Sequence, residues 1–124
     1  VGDLDAVHQV NRALIELMRR GTGRSSQAML PPELVVAGKT GTSDEYRDCC
    51  FAGFSGDHLA VVWLGRDDNE TTGLTGASGA LSVWAPLLDW MITSGIVGSL
   101  GSFRPFELMS RNTTPWITPA LRGA

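Results

Sequence analysis

The sequence predicts an α/β fold of the α+β kind, an antiparallel meander of three strands flanked by an N-terminal and a C-terminal helix. Three observations carry that expectation. An apolar stripe at helical spacing opens the chain, a second lies between Leu81 and Met91, and three strand-like runs (33–43, 49–55 and 58–65) fill the space between them. The runs are joined by connections too short for the dozen or so residues that a parallel crossover needs, so consecutive strands must turn back on each other.

Each element has its own justification. Asp3 can cap a helix that carries Leu4, Val7, Val10, Leu14, Leu17 and Met18 along one stripe, with Arg19 and Arg20 suited to its last turn and Gly21 to its end. "GTGRSSQAMLPPE" then reads as a loop in which Pro31 and Pro32 block a helix. Ser55, Gly56 and Asp57 join the second and third strands in a hairpin. The polar, glycine-rich "RDDNETTGLTGASGA" is a loop into a second helix that begins near Ser78 to Ser82 and carries Leu81, Val83, Trp84, Leu87, Leu88 and Met91. Pro86 is expected to kink that helix or to mark a later start. Residues 1–94 thus form the structured part, and 95–124, irregular and rich in proline and aromatics, form a C-terminal extension or tail. There is no internal repeat.

With 124 residues, 43% of them hydrophobic, the chain can bury an ordinary core. A formal net charge of −3 and scattered arginines argue against a nucleic-acid surface, which needs a concentrated basic face. No apolar run approaches the roughly 20 residues of a membrane helix. Cys49 and Cys50 are adjacent, so on a strand they point to opposite faces and do not bridge each other. His8 and His58 lie far apart and no Cys/His cluster exists, so no metal site and no cofactor is expected. The opening "VGDLDAV", without an initiator methionine or a targeting pattern, reads as cut from something longer.

The informative stretch is "VVAGKTGTSDE", which holds the only lysine. On a strand, Thr40 and Thr42 share one face and Lys39 and Gly41 the other. Two hydroxyls two residues apart can both donate to one carboxylate, and Lys39 adds positive potential beside them. Gly41 removes a Cβ that would hold a ligand backbone away. At a sheet edge the strand can pair with an extended peptide, and the N–H of Thr42 can face a developing oxyanion. An ordinary glycine-containing edge strand ending in a solvated lysine has the same local pattern, so the surrounding segments must discriminate. The acidic group Asp67, Asp68 and Glu70 beside Arg66 reads as a solvated turn.

K-T-G is one of the signatures of serine penicillin-binding proteins and β-lactamases. "RRGTGR" (19–24), "AGKTGTS" (37–43), "FAGFSG" (51–56), "VVWLGRDDN" (61–69) and "TGASGALSVW" (75–84) follow one another in the order of that family. Together, over about residues 5 to 90, they resemble the C-terminal part of the transpeptidase domain of a bifunctional, class A penicillin-binding protein of the 1B type. The resemblance implies a partial β-lactamase/transpeptidase-like fold. It also implies a parent enzyme at the periplasmic face of the bacterial inner membrane, which crosslinks peptidoglycan stem peptides by serine acyl transfer and is acylated by β-lactams. Lys39 corresponds to the K-T-G lysine, Thr40 and Thr42 to the groups that bind the carboxylate of the D-Ala-D-Ala end or of a β-lactam. Thr42 N–H corresponds to an oxyanion donor, and Gly41 to the clearance position.

The remaining machinery has no counterpart. An S-x-x-K requires a serine three residues before a lysine, and Val36 stands at that spacing. Ser110-Arg111-Asn112 matches S-x-N but follows the K-T-G segment, whereas the family order places it before, so it is read as chance. No glycosyltransferase segment is present. The expectation is a cleft wall that is inactive alone, completed by an upstream half of the domain. Alternatives are a piece of a β-lactamase or D,D-carboxypeptidase, in which water replaces the acceptor amine, and a non-catalytic peptide-binding module. Without strands from the rest of the domain, 58–65 ("HLAVVWLG") would be a bare apolar edge, which predicts self-association.

Overall fold

The computed structural model describes residues 2–56 and 58–94. Helix α1 spans Leu4–Arg20, with the Asp3 carboxylate accepting from the Asp5 N–H at 2.9 Å and the Gly21 N–H closing on the Leu17 carbonyl at 3.0 Å. Of the expected stripe Met18 is buried and Val7, Leu14 and Leu17 are half-buried, whereas Leu4 and Val10 are exposed, and Asn11 and Ile15, outside that stripe, complete the buried line. A polar residue, Asn11, sits on the packed face, where a purely apolar periodicity does not register it. The loop after α1 also differs from expectation: Arg24–Ala28 forms a 3₁₀ turn, tightened by the Ser26 hydroxyl on the Gly23 carbonyl at 2.8 Å. The two prolines lie beyond it and so do not prevent it.

Three antiparallel strands follow, β1 (Ala37–Thr42), β2 (Asp48–Ser55) and β3 (His58–Gly65), in the spatial order β1-β2-β3. The meander is the expected one. β1 is shorter than the expected 33–43, because the Leu34 N–H turns back to the Pro31 carbonyl at 3.0 Å and pairing with β2 begins only at Ala37↔Phe54. The register sets Thr40 beside Phe51 and Val62 on one face, and Lys39 beside Ala52 and Val61 on the other. On the first face Cys49 and Phe51 are buried, and the Phe51 ring meets Trp84 edge-on with centroids 4.8 Å apart. On the second, Cys50 is half-buried, and both cysteines are free, as the period of two requires.

Helix α2 spans Leu81–Thr93 and buries Leu81, Trp84, Ala85, Leu88 and Ile92 over the first face. Val83 and Leu87, expected on its packed stripe, are exposed. A π-helical turn, Gly76–Ala80, leads into it, capped by Thr75 and Ser78, whose side chains each accept from the other's backbone N–H. The helix runs on through Pro86. Pro86 and Ser82 both lie on the exposed side, so water can satisfy the Ser82 carbonyl that the proline leaves without an N–H. The Trp84 indole N–H donates to the Ala60 carbonyl at 3.0 Å, tying the helix to β3. The extension 95–124 and its Ser110-Arg111-Asn112 triplet lie outside the described residues. Among the described residues no helix is long and apolar enough to cross a membrane.

Candidate functional site

β1 is an edge strand: among the described residues it pairs with β2 on one side and with no strand on the other. Its last residues show which backbone groups face outward. The Ser43 N–H donates to the Asp48 carbonyl at 2.9 Å. In an antiparallel pair, bonded and non-bonded positions alternate, so the N–H and C=O of Thr42 and of Thr40 turn away from β2 toward the open edge. Lys39 agrees with this: its ammonium folds over that edge and donates to the Thr40 carbonyl at 2.7 Å. None of the ion pairs among the described residues uses Lys39, so its charge is left without a carboxylate.

The two hydroxyls are held from behind. Thr40 Oγ1 lies 2.9 Å from Thr22 Oγ1 in the loop after α1. Thr42 Oγ1 accepts from the Gly76 N–H at 3.0 Å, at the start of the turn into α2. Gly76 rests directly on the strand, where a Cβ would come within 2.7 Å of the Gly41 and Cys50 carbonyl oxygens. Gly41 has its own packing reason to lack a side chain, since a Cβ there would meet Cys50 Sγ at 2.5 Å. Lys39, Thr40, Gly41 and Thr42 therefore stand together at one edge. Thr22 and Gly76 join them from segments that sequence reading connected to the site only by family likeness. Their contacts are tertiary, and no local pattern signals them.

Elsewhere the chemistry is sparse. The Arg66 guanidinium bonds the Asp68 carboxylate through Nε at 2.8 Å and through Nη2, which lowers the Asp68 pKa, and the Glu70 N–H on the same carboxylate adds to the effect. The same bond raises the Arg66 pKa. The pair is exposed and reads as the solvated turn expected there. Among the described residues no group of His, Cys, Asp or Glu side chains could hold a metal ion. A cavity of about 500 Å³ lies under the start of β1, between Met18, Leu30, Pro31 and Val36, and one of about 190 Å³ lies between Leu59, Trp84 and Leu88. Neither is lined by Lys39 to Thr42, whose geometry is that of an open edge rather than an enclosed pocket.

A lysine–threonine–glycine–threonine edge strand, on an antiparallel sheet covered by the helix that follows it, defines a fragment of the transpeptidase-like fold of penicillin-binding enzymes. The fold is matched in the crystal structure of penicillin-binding protein 1A from Haemophilus influenzae, with a TM-score of 0.59 over 64% of this chain and 13% of that one at 23% sequence identity. The sequence is homologous to the penicillin-binding proteins 1B and 1A and corresponds to a part of their transpeptidase region. It is 47% identical to penicillin-binding protein 1B of Haemophilus influenzae over 85 residues, which is 68% of this chain and 11% of the relative. Against penicillin-binding protein 1B of Vibrio cholerae it is 43% identical over 90 residues, 73% of this chain and 12% of the relative. The chain thus spans about a tenth of the length of these relatives. No family model matches it.

Proposed function

We propose that this chain is part of a peptidoglycan D,D-transpeptidase, in which it supplies the Lys39–Thr42 strand along one wall of the peptide cleft. The observation that carries the reading is the open edge of β1, where one ammonium, two hydroxyls and an outward N–H stand within four residues. An extended stem peptide lies along that edge. Lys39 gives the positive potential, Thr40 and Thr42 donate to the carboxylate of the D-Ala-D-Ala end or of a β-lactam, and the Thr42 N–H stabilises the oxyanion.

The acyl transfer itself belongs to a serine outside these residues. Its oxygen bonds to the penultimate D-alanine carbonyl, the terminal D-alanine leaves as the C–N bond breaks, and a neighbouring stem's amine takes the acyl group and frees the serine. The S-x-x-K and S-x-N groups also come from sequence outside the 124 residues, as does the glycosyltransferase part of a bifunctional parent at the periplasmic face of the inner membrane. The chain alone is inactive.

Intact mass after incubation with excess penicillin tests the reading, with the chain alone and with the preceding part of its parent supplied separately. The expected result is no adduct on this chain and one on the preceding part when the two are mixed, abolished by Lys39→Ala. An adduct on this chain alone would overturn the assignment, because it would reveal a nucleophile within the chain.

A further inference from the structure

The two threonines of β1 differ from free surface hydroxyls in one respect: each already has a protein partner on its oxygen. The Gly76 backbone N–H can only donate, so in its 3.0 Å bond the Thr42 oxygen is the acceptor and the Thr42 proton is left over. Thr22 meets Thr40 at 2.9 Å, a hydroxyl pair in which one proton lies between the oxygens and the other is free. Resting on the carboxylate-binding reading above, we infer that Thr22 and Gly76 are positioning residues that hold Thr40 and Thr42 as a matched pair of outward donors.

The physical argument concerns what a hydroxyl does beside an anion. A threonine carries one proton and two lone pairs. Left alone beside a strand, it readily spends that proton on a nearby carbonyl. With a donor seated on its oxygen, the proton has to go elsewhere, and the bond it then makes is strengthened by polarisation along the chain. An arriving carboxylate selects the order Thr22→Thr40→carboxylate, while the Gly76→Thr42→carboxylate order is fixed before it arrives. Both supports come from glycine-containing loops, one before the strand and one after it. Gly76 reaches Thr42 only because it has no Cβ to strike the Gly41 and Cys50 carbonyls at 2.7 Å. The two loops therefore act on ligand recognition without touching the ligand.

The test uses the full-length parent protein and two acylating probes, a penicillin with a free carboxylate and its methyl ester, and reads the ratio of their second-order acylation rates. Thr22→Val keeps the shape of an exposed side chain and removes its donor. It is expected to lower the acid rate about fivefold, the worth of one hydrogen bond between neutral groups, while leaving the ester rate within about twofold, and Thr22→Ser restores the acid rate. Equal loss with both probes would mean that Thr22 supports only the fold, and would overturn the inference. So would a rise in the acid rate, which would mean that Thr40 spends its proton on Thr22. Thr40→Val separates the two layers of the argument: it collapses the acid-to-ester ratio if Thr40 binds the carboxylate. An unchanged ratio in Thr40→Val would bring down the carboxylate reading, and this inference with it. A collapsed ratio there beside an unchanged one in Thr22→Val would bring down this inference alone.

Discussion

Along β1 the open edge of the sheet offers Lys39, Thr40 and Thr42, whereas the opposite edge strand, β3, offers Leu59, Val61 and Trp63, which are 70%, 62% and 61% exposed. Both edges hang on the same central strand, whose register carries Lys39 to Val61 and Gly41 to Trp63 across one face. The difference lies in what each has been given to do with its outer surface. β1 is braced by loops on either side and presents polar groups, which the proposed function gives to a small charged ligand. β3 leaves apolar side chains of the size that sheets normally bury, and a bare apolar edge of this kind invites another surface to cover it. Under the function proposed above, one edge serves recognition, and for the other we propose that a further surface packs on it.

The largest way to break that comparison is through the residue that serves both sides of the core. Trp84 meets Phe51 edge-on beneath the middle of the sheet and donates to the Ala60 carbonyl of β3. Trp84→Ala in the parent protein is expected to cost about 3–5 kcal/mol by chemical denaturation. β3 loses both packing and a hydrogen bond, whereas β1 keeps its bonds to Thr22 and Gly76. Hydrogen exchange should therefore accelerate in β3 before it does in β1, and equal acceleration would show that the two edges are not supported separately.

Gly76→Ala attacks the other edge. Its new methyl group meets backbone oxygens, which cannot swing aside, and the expected loss is about 1–3 kcal/mol, the usual range for overpacking. The same change should reduce penicillin acylation more than the stability loss explains, because the Thr42 hydroxyl is released from its donor. For β3 we propose self-association of the isolated chain. The double substitution Leu59→Lys, Val61→Lys should raise the apparent dissociation constant at least about tenfold, equivalent to about 1.4 kcal/mol, measured by sedimentation or light scattering. A stable monomer of the unmodified chain over the same concentrations would remove the proposed difference between the edges.

Much of this was legible in the sequence because it is local. Alternation alone sent Cys49 and Cys50 to opposite faces, and short connections alone made the sheet a meander. Lys39, Thr40, Gly41 and Thr42 were legible as a group because they are contiguous and their faces follow from the period of two. What escaped is what depends on tertiary partners. The packed face of α1 was legible in part, through Met18 and the half-buried Val7, Leu14 and Leu17, but Asn11 lies on it too, buried with an Nδ2 that has no hydrogen-bond partner among the described residues, and no apolar count can find such a position. Pro86 was overrated because its effect depends on whether the orphaned carbonyl faces water. Thr22 and Gly76 reach β1 across long stretches of chain, so their hydrogen bonds had no signature in either segment.

The smallest expected effect sharpens the β1 side of the comparison. Glu45 and Tyr46, at the turn between β1 and β2, have φ values of 58° and 55°, in the left-handed region that favours glycine. They stay there because the Tyr46 carbonyl accepts from the Thr72 N–H at 2.8 Å and from its hydroxyl at 2.7 Å, and because the Arg47 guanidinium bridges the Glu45 carboxylate and the Asn69 carbonyl. The loop after β3 thus holds the turn that ends the lysine strand, and it does so against a steric cost of about 1–2 kcal/mol per residue. Tyr46→Gly should relieve that cost while Tyr46→Ala should not, so the glycine variant is expected to exceed the alanine variant by about 1 kcal/mol in unfolding free energy, the cost of a Cβ at positive φ less the chain entropy of glycine. If alanine proves as stable as glycine, Tyr46 does not hold the left-handed conformation in solution, and the Thr42 end of β1 is less firmly set than the two bonds to Thr72 require.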